Sequence, residues 1–109
     1  MSDVVLRERR GAIELVTISR PKALNAIDAA VLDGLSDLVD DLTEDSDLRG
    51  VVLTGAGEKA FVAGADIESM SSMSPAMAEY FSARGQHVFD GLAALPVPVI
   101  AAVNGFALG

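Results

Sequence analysis

The stretch Ala60-Phe61-Val62-Ala63-Gly64-Ala65-Asp66-Ile67 holds the residues of this sequence best placed to do chemistry. It follows an apolar run that ends in Leu53-Thr54-Gly55-Ala56-Gly57, so small residues come just after a predicted strand. Small side chains leave backbone N–H groups open to a ligand, and such donors can hold a developing oxyanion. In acyl chemistry that stabilisation is often the largest single term. Asp66 is given an organising role, because an Asp in such a loop usually accepts from nearby backbone N–H groups and fixes the turn. Gly64 serves either ligand access or a positive φ, and the two uses are compatible. A second run of small residues, Asn104-Gly105-Phe106-Ala107-Leu108-Gly109, begins where the sequence stops.

A second loop, Arg20-Pro21-Lys22-Ala23-Leu24-Asn25-Ala26-Ile27, adds cations and free backbone groups. Adjacent strands of an α/β layer tend to bring their ends together, so the two loops are expected to be neighbours. Together they would suit a flat or extended ligand. Other chemistries are narrowed by composition. Cysteine is absent, which removes disulfides, thiolate metal sites and cysteine nucleophiles. His87 is the single histidine, so this sequence cannot build a multi-histidine metal site, and no metal is expected. On a helix, His87 reads as a surface or satisfied structural residue.

The chain has 109 residues, half of them hydrophobic, with a mean hydropathy of +0.39. That is enough for one core and argues against wholesale disorder. The net charge is −8, from 16 acidic and 8 basic residues. Such a balance disfavours a nucleic-acid surface or an anionic membrane surface. It still allows a phosphate held by one or two local cations. The longest apolar stretch, Val97 to Val103, is too short to span a bilayer, and Met1 to Gly11 lacks the apolar segment of a signal peptide. A cytoplasmic location is the expectation.

The elements that must position these loops can be read in order. Val4 to Arg9 and Ala12 to Ser19 predict a hairpin about Arg10-Gly11. Asp28 is a fitting N-cap for a helix over Ala29 to Thr43, with Val31, Leu35, Leu38 and Leu42 on its apolar stripe. Asp28, Asp33, Asp37, Asp40, Asp41, Glu44, Asp45 and Asp47 read as a solvated acidic face. Gly50 to Thr54 predicts a strand buried on both sides. Ser74-Pro75 opens a helix to about Leu95, weakened at Gly85, with Met77, Tyr80 or Phe81, Val88, Phe89 and Leu92 inward. Met70, Met73 and Met77 read as ordinary packing. Pro96 and Pro98 stop that helix, and Val97 to Val103 predicts a buried strand. The order strand, strand, helix, strand, helix, strand makes an α/β chain.

With these residues in place, the chain resembles the enoyl-CoA hydratase/isomerase, or crotonase, family. The resemblance rests on Ser19-Arg20-Pro21-Lys22-Ala23-Leu24-Asn25-Ala26, Val51-Val52-Leu53-Thr54-Gly55, Lys59 to Ile67, and Pro96 to Gly109. Each match alone is weak, but together they fall in the family's order and span nearly the whole chain. The resemblance implies a crotonase-like (ClpP/crotonase) spiral of β-β-α units, incomplete here. Residues 1–109 would be the N-terminal part of a single domain, truncated at its C-terminal end. Full-length relatives would assemble as homotrimers or hexamers.

The resemblance also implies the roles. Ala65 would supply one backbone N–H of an oxyanion hole, and a glycine one residue past Gly109 would supply the other. Arg20 and Lys22 would contact the phosphates of coenzyme A, and Ala23 and Leu24 its adenine end through backbone groups. Ala63, Gly64, Asp66 and Ile67 would complete the substrate-binding loop. Glu68 departs from the lysine that many members carry there, and a carboxylate would repel phosphate. The implied partner is an acyl-CoA thioester, with coenzyme A part of the substrate and no separate cofactor. Enoyl-CoA hydratase, adding water to a 2-enoyl-CoA in fatty acid metabolism, is the best single label. Its two glutamates would lie beyond Gly109, so the 109 residues alone are expected to be inactive. The alternatives are a non-catalytic acyl-CoA-binding or subunit-interaction fragment, or an isomerase or hydrolase of the same family.

Overall fold

Strand β1 (Val5–Arg10) turns back at Gly11, whose φ of +61° suits a residue without Cβ, and pairs antiparallel with β2 (Ile13–Ile18). A computed structural model describes residues 4–57, 60–62, 66, 70–103 and 106–107. From β2 the chain crosses through helix α1 (Ala29–Thr43) to β3 (Gly50–Gly55), which lies parallel to β2. It then passes through β4 (Ala60–Val62) and helix α2 (Pro75–Ala93) to β5 (Val99–Ala101), parallel to β3. The main sheet has the order β1-β2-β3-β5. A second, two-stranded sheet pairs β4 in parallel with β6 (Phe106–Ala107). The architecture is α/β with a mixed sheet.

Both helices lie on one face of the main sheet. Asp28 caps α1 through its side chain, which accepts the Val31 N–H at 3.0 Å. Val31, Leu32, Leu35, Leu38 and Leu42 of that helix are essentially inaccessible to water. They pack with Val5, Val16, Ile18, Val51 and Leu53 from the sheet and with Phe81, Val88 and Leu92 from α2. Burying each of these side chains is worth about 1.5–3 kcal/mol against leaving it in water, which makes this layer the source of the fold's cohesion. The helices approach closely where α2 carries glycine: a Cβ built on Gly91 would stand 3.2 Å from a Val39 methyl.

The other sheet face is only partly sheltered. Leu15 and Val52 are neighbours in register and half-buried, and Ile100, paired with Val52, is exposed. The expectation that β3 is buried on both sides therefore holds for one side only among the described residues. The strand read as Val97 to Val103 is shorter, Val99–Ala101, and forms a sheet edge with Ile100 and Val103 exposed. An apolar run marks a strand, but which of its faces is covered depends on neighbours the run does not encode. On α2, Phe81, Val88 and Leu92 point inward as expected, whereas Met77 and Tyr80 are exposed. Of the alternatives Tyr80 and Phe81 it is Phe81 that is buried, and Met77, one turn earlier on the same side of the helix, lies beyond the packed layer.

The acidic face of α1 is more than solvated. Asp41 and Asp45 receive Arg7 and Arg9 of β1 at 2.7 Å each, and Asp33 receives Arg84 of α2. Glu14, buried on β2, lies between the same two arginines, 2.8 Å from Arg7 Nε and 3.3 Å from Arg9 Nη1. Arg7 and Arg9 are two residues apart on a strand, so both reach the face where α1 lies. Among the described residues, no helix is long and apolar enough to cross a membrane.

Candidate functional site

The site is assembled where β2 and β3 end, at the carboxyl edge of the parallel pair. Ligands of open α/β sheets are received at that edge. Leaving β2, the chain enters a 3-10 turn, Pro21–Ala23, whose first residue has its φ fixed by the ring. The turn closes with Leu24 and Asn25 both in the left-handed region, at φ +54° and +57°. For a leucine that backbone is uncommon and costs about 1–2 kcal/mol, so something must hold it.

Asn25 is what holds it. Its side chain is buried, its Oδ1 accepts the Arg20 N–H at 2.8 Å, and its Nδ2 donates to the Ala56 carbonyl at 3.0 Å. Its own backbone N–H donates to the Arg20 carbonyl at 2.8 Å. One side chain thus ties the loop to itself and to the exit of β3. These bonds stabilise the loop that leads into α1. The bond to Ala56, 31 residues away, had no local signal.

The expected neighbourhood of the two loops is present. Arg20 Nη1 lies 2.9 Å from Asp66 Oδ2, and the Asp66 N–H donates to the Ile27 carbonyl at 2.8 Å. The same Nη1 donates to the Ala26 carbonyl at 2.7 Å, and Nε stands 3.5 Å from Asp28 Oδ2. Asp66 thus receives the Arg20 guanidinium across 46 residues of sequence. Its carbonyl accepts the Met70 N–H at 3.0 Å. Lys22 and Leu24 are exposed on the rim of this corner, and Ala23 is half-exposed. Ala63, Gly64, Ala65, Ile67 and Glu68 lie outside the described residues, as do Asn104, Gly105, Leu108 and Gly109.

A groove of about 530 Å³ opens at the opposite edge, where Thr43, Asp45 and Arg49 face Pro96 and Pro98. It lies at the amino ends of β3 and β5, away from every described residue singled out for chemistry. Arg49 there donates to the Ser46 and Leu48 carbonyls. Among the described residues no cluster of His, Asp and Glu side chains is arranged to hold a metal ion. His87 is exposed on α2.

Known proteins agree with this arrangement of sheet, helices and loops. Residues 8–109 match the family described as Enoyl-CoA hydratase/isomerase. The chain is 49% identical over 105 residues to a short-chain-enoyl-CoA hydratase of Clostridium acetobutylicum, covering 96% of this chain and 40% of that protein. It is 43% identical over 105 residues to a crotonyl-CoA hydratase of Syntrophomonas wolfei, with the same 96% and 40% coverage. Among solved structures, an enoyl-CoA hydratase from Bacillus anthracis superposes with a TM-score of 0.95 at 31% identity, over 98% of this chain and 42% of that one. An α/β chain of the crotonase fold, incomplete in extent, is thereby defined. The chain belongs to the enoyl-CoA hydratase/isomerase family. It spans about 40% of the length of the curated relatives it matches.

Proposed function

We propose that these residues form the first part of a single acyl-CoA-processing domain whose reaction is hydration of a short 2-enoyl-CoA. The observation that carries this reading is the pinning of two loops, one leaving β2 and one following β4, through Arg20 and Asp66 at 2.9 Å. Asp66 follows Ala65 in sequence, so the brace fixes the neighbour of the residue given the oxyanion role. The Ala65 N–H would bind the thioester oxygen as negative charge gathers there, lowering the barrier to an enolate-like state. A glycine past Gly109 would supply the second donor, and two later glutamates would handle the proton and the water. The relatives' names, short-chain-enoyl-CoA hydratase and crotonyl-CoA hydratase, support a short acyl group.

Coenzyme A would lie along the corner from Lys22 to Leu24, with its phosphates toward Lys22 and its adenine against the backbone of Ala23 and Leu24. It enters as part of the substrate, so no separate cofactor is needed. A trimer or a pair of trimers in the cytoplasm suits this reading.

The test is direct. Purified full-length protein mixed with crotonyl-CoA should bleach the conjugated enoyl absorbance at a rate linear in enzyme. Residues 1–109 alone should leave it unchanged, since one donor without acid–base groups cannot complete the addition. Full-length protein that binds free coenzyme A yet hydrates no enoyl thioester would favour a binding module or a sister reaction of the family. Turnover by residues 1–109 alone would refute the assignment of the missing groups.

A further inference from the structure

Arg20 lies within reach of three partners at once, and this constrains what else it can do. Its guanidinium is bound by the Asp66 carboxylate and the Ala26 carbonyl and is 3.5 Å from the Asp28 carboxylate. Its side chain is 20% exposed, and those of Asp66 and Asp28 are 12% and 22%. Two carboxylates around one guanidinium leave the locus net negative, a poor partner for a pyrophosphate. Arg20 suits the bridging role because its planar fork can serve several acceptors in fixed directions.

The three partners belong to separate parts of the fold. Asp28 caps α1 with its other oxygen, Ala26 closes the loop after the 3-10 turn, and Asp66 follows Ala65. Lys22, exposed and two residues along, is the cation of this loop for which no carboxylate partner is seen among the described residues. We propose that Arg20 is a positioning residue: it holds Asp66, the residue after Ala65 in sequence, against the N-terminus of α1, leaving the coenzyme A phosphates to Lys22. This rests on the acyl-CoA reading above. It differs from a phosphate-binding Arg20 in a way experiment can resolve.

The experiment is a double-mutant cycle in the full-length protein with Arg20→Gln, Asp66→Asn and both together, with Arg20→Lys and Lys22→Ala alongside. Each single variant at the brace should lower kcat for crotonyl-CoA by about tenfold to a hundredfold, the scale of a small misplacement of a reacting group. The double should be no slower than the slower single, because both remove one interaction. Affinity for free coenzyme A, by calorimetry, should stay within about twofold in the brace variants and fall several-fold in Lys22→Ala. Arg20→Lys, which keeps the charge but not the fork, should recover only part of kcat. A tenfold loss of coenzyme A affinity in Arg20→Gln but not Asp66→Asn would overturn the proposal, as would kcat losses that multiply in the double.

Hydrogen exchange at the Asp66 amide gives a readout without ligand. That N–H donates to the Ile27 carbonyl and should exchange faster in both single variants and in Arg20→Lys. Unchanged exchange in all of them sinks the brace whatever the activity. Wild-type protein with neither hydration nor coenzyme A binding sinks the acyl-CoA reading instead, and the exchange data then judge the brace alone.

Discussion

At the scale of single residues, Asn25 has the largest structural duty relative to its size. It occupies a left-handed backbone position, φ +57°, and its buried amide satisfies the Arg20 N–H and the Ala56 carbonyl. Asn25→Ala should cost about 2–4 kcal/mol, since it strands two buried groups and leaves a Cβ at a positive φ. Asn25→Gly loses the same two bonds without the Cβ and should be the less damaged by about 1 kcal/mol. Urea unfolding of both variants checks the ordering; an alanine variant as stable as the glycine variant would mean that the backbone strain is absent. Leu24, also left-handed, has no comparable side-chain anchor of its own. Its exposure on the rim suits a residue held for contact rather than for packing.

At the scale of elements, the closeness of α1 and α2 depends on glycines that differ in how tightly they are confined. A Cβ on Gly85 would meet the Leu32 methyls at 3.9 Å, an ordinary contact, and that on Gly91 would meet Val39 at 3.2 Å. Gly85→Ala should therefore raise stability by about 0.5–1 kcal/mol, through better helix propensity and a filled contact. A thermal melt reads this, and a lower melting temperature would show that the interface has no room at Gly85. The bounds of α1, Ala29–Thr43, were legible because the Asp28 cap and the leucine stripe are local signals. Its arginine clasps were not, because Arg7 and Arg9 gain their meaning only once β1 lies beside α1. Nor did local pattern reveal β4 and β6, two short strands paired across more than forty residues. The exposure of Met77 escaped for a related reason: it continues the stripe of Phe81 by one turn, and tertiary packing decides where along a helix such a stripe stops being covered. For the site, the loops and their meeting were readable, while the Arg20 partners Asp66 and Asp28 were not.

At the scale of the whole molecule, the excess of acid is partly absorbed into the architecture. Arg7, Arg9, Arg10, Arg20 and Arg84 all meet carboxylates, so most of the positive charge of the chain is neutralised where it stands. Asp45 shows the consequence for pH. The side-chain hydrogen bond from Arg9, joined by backbone bonds and the guanidinium's charge, holds its carboxyl below the ordinary value of 3.8. A depressed pKa means that ionised Asp45 favours the fold in full above that ordinary value, and that the benefit disappears as pH falls through the depressed one. Asp45→Asn should flatten the acid limb of a plot of melting temperature against pH and leave the slope unchanged around neutrality. An acid limb as steep in the variant as in the parent would locate acid sensitivity elsewhere.

The strands of the main sheet stand in the order in which they are synthesised, β1-β2-β3-β5. Each new strand joins the edge left open by the one before, and none must be inserted between strands already paired. A hairpin forms first from neighbouring residues, and each later addition brings its own crossover helix to cover the same face. Assembly can therefore proceed from one end to the other as the polypeptide emerges, with the growing edge always at the most recently made strand. The docking of β3 brings its exit at Ala56 against Asn25 of the loop after β2 before β5 has found its register, whereas the loop of Asp66 follows β4, whose partner β6 is made last.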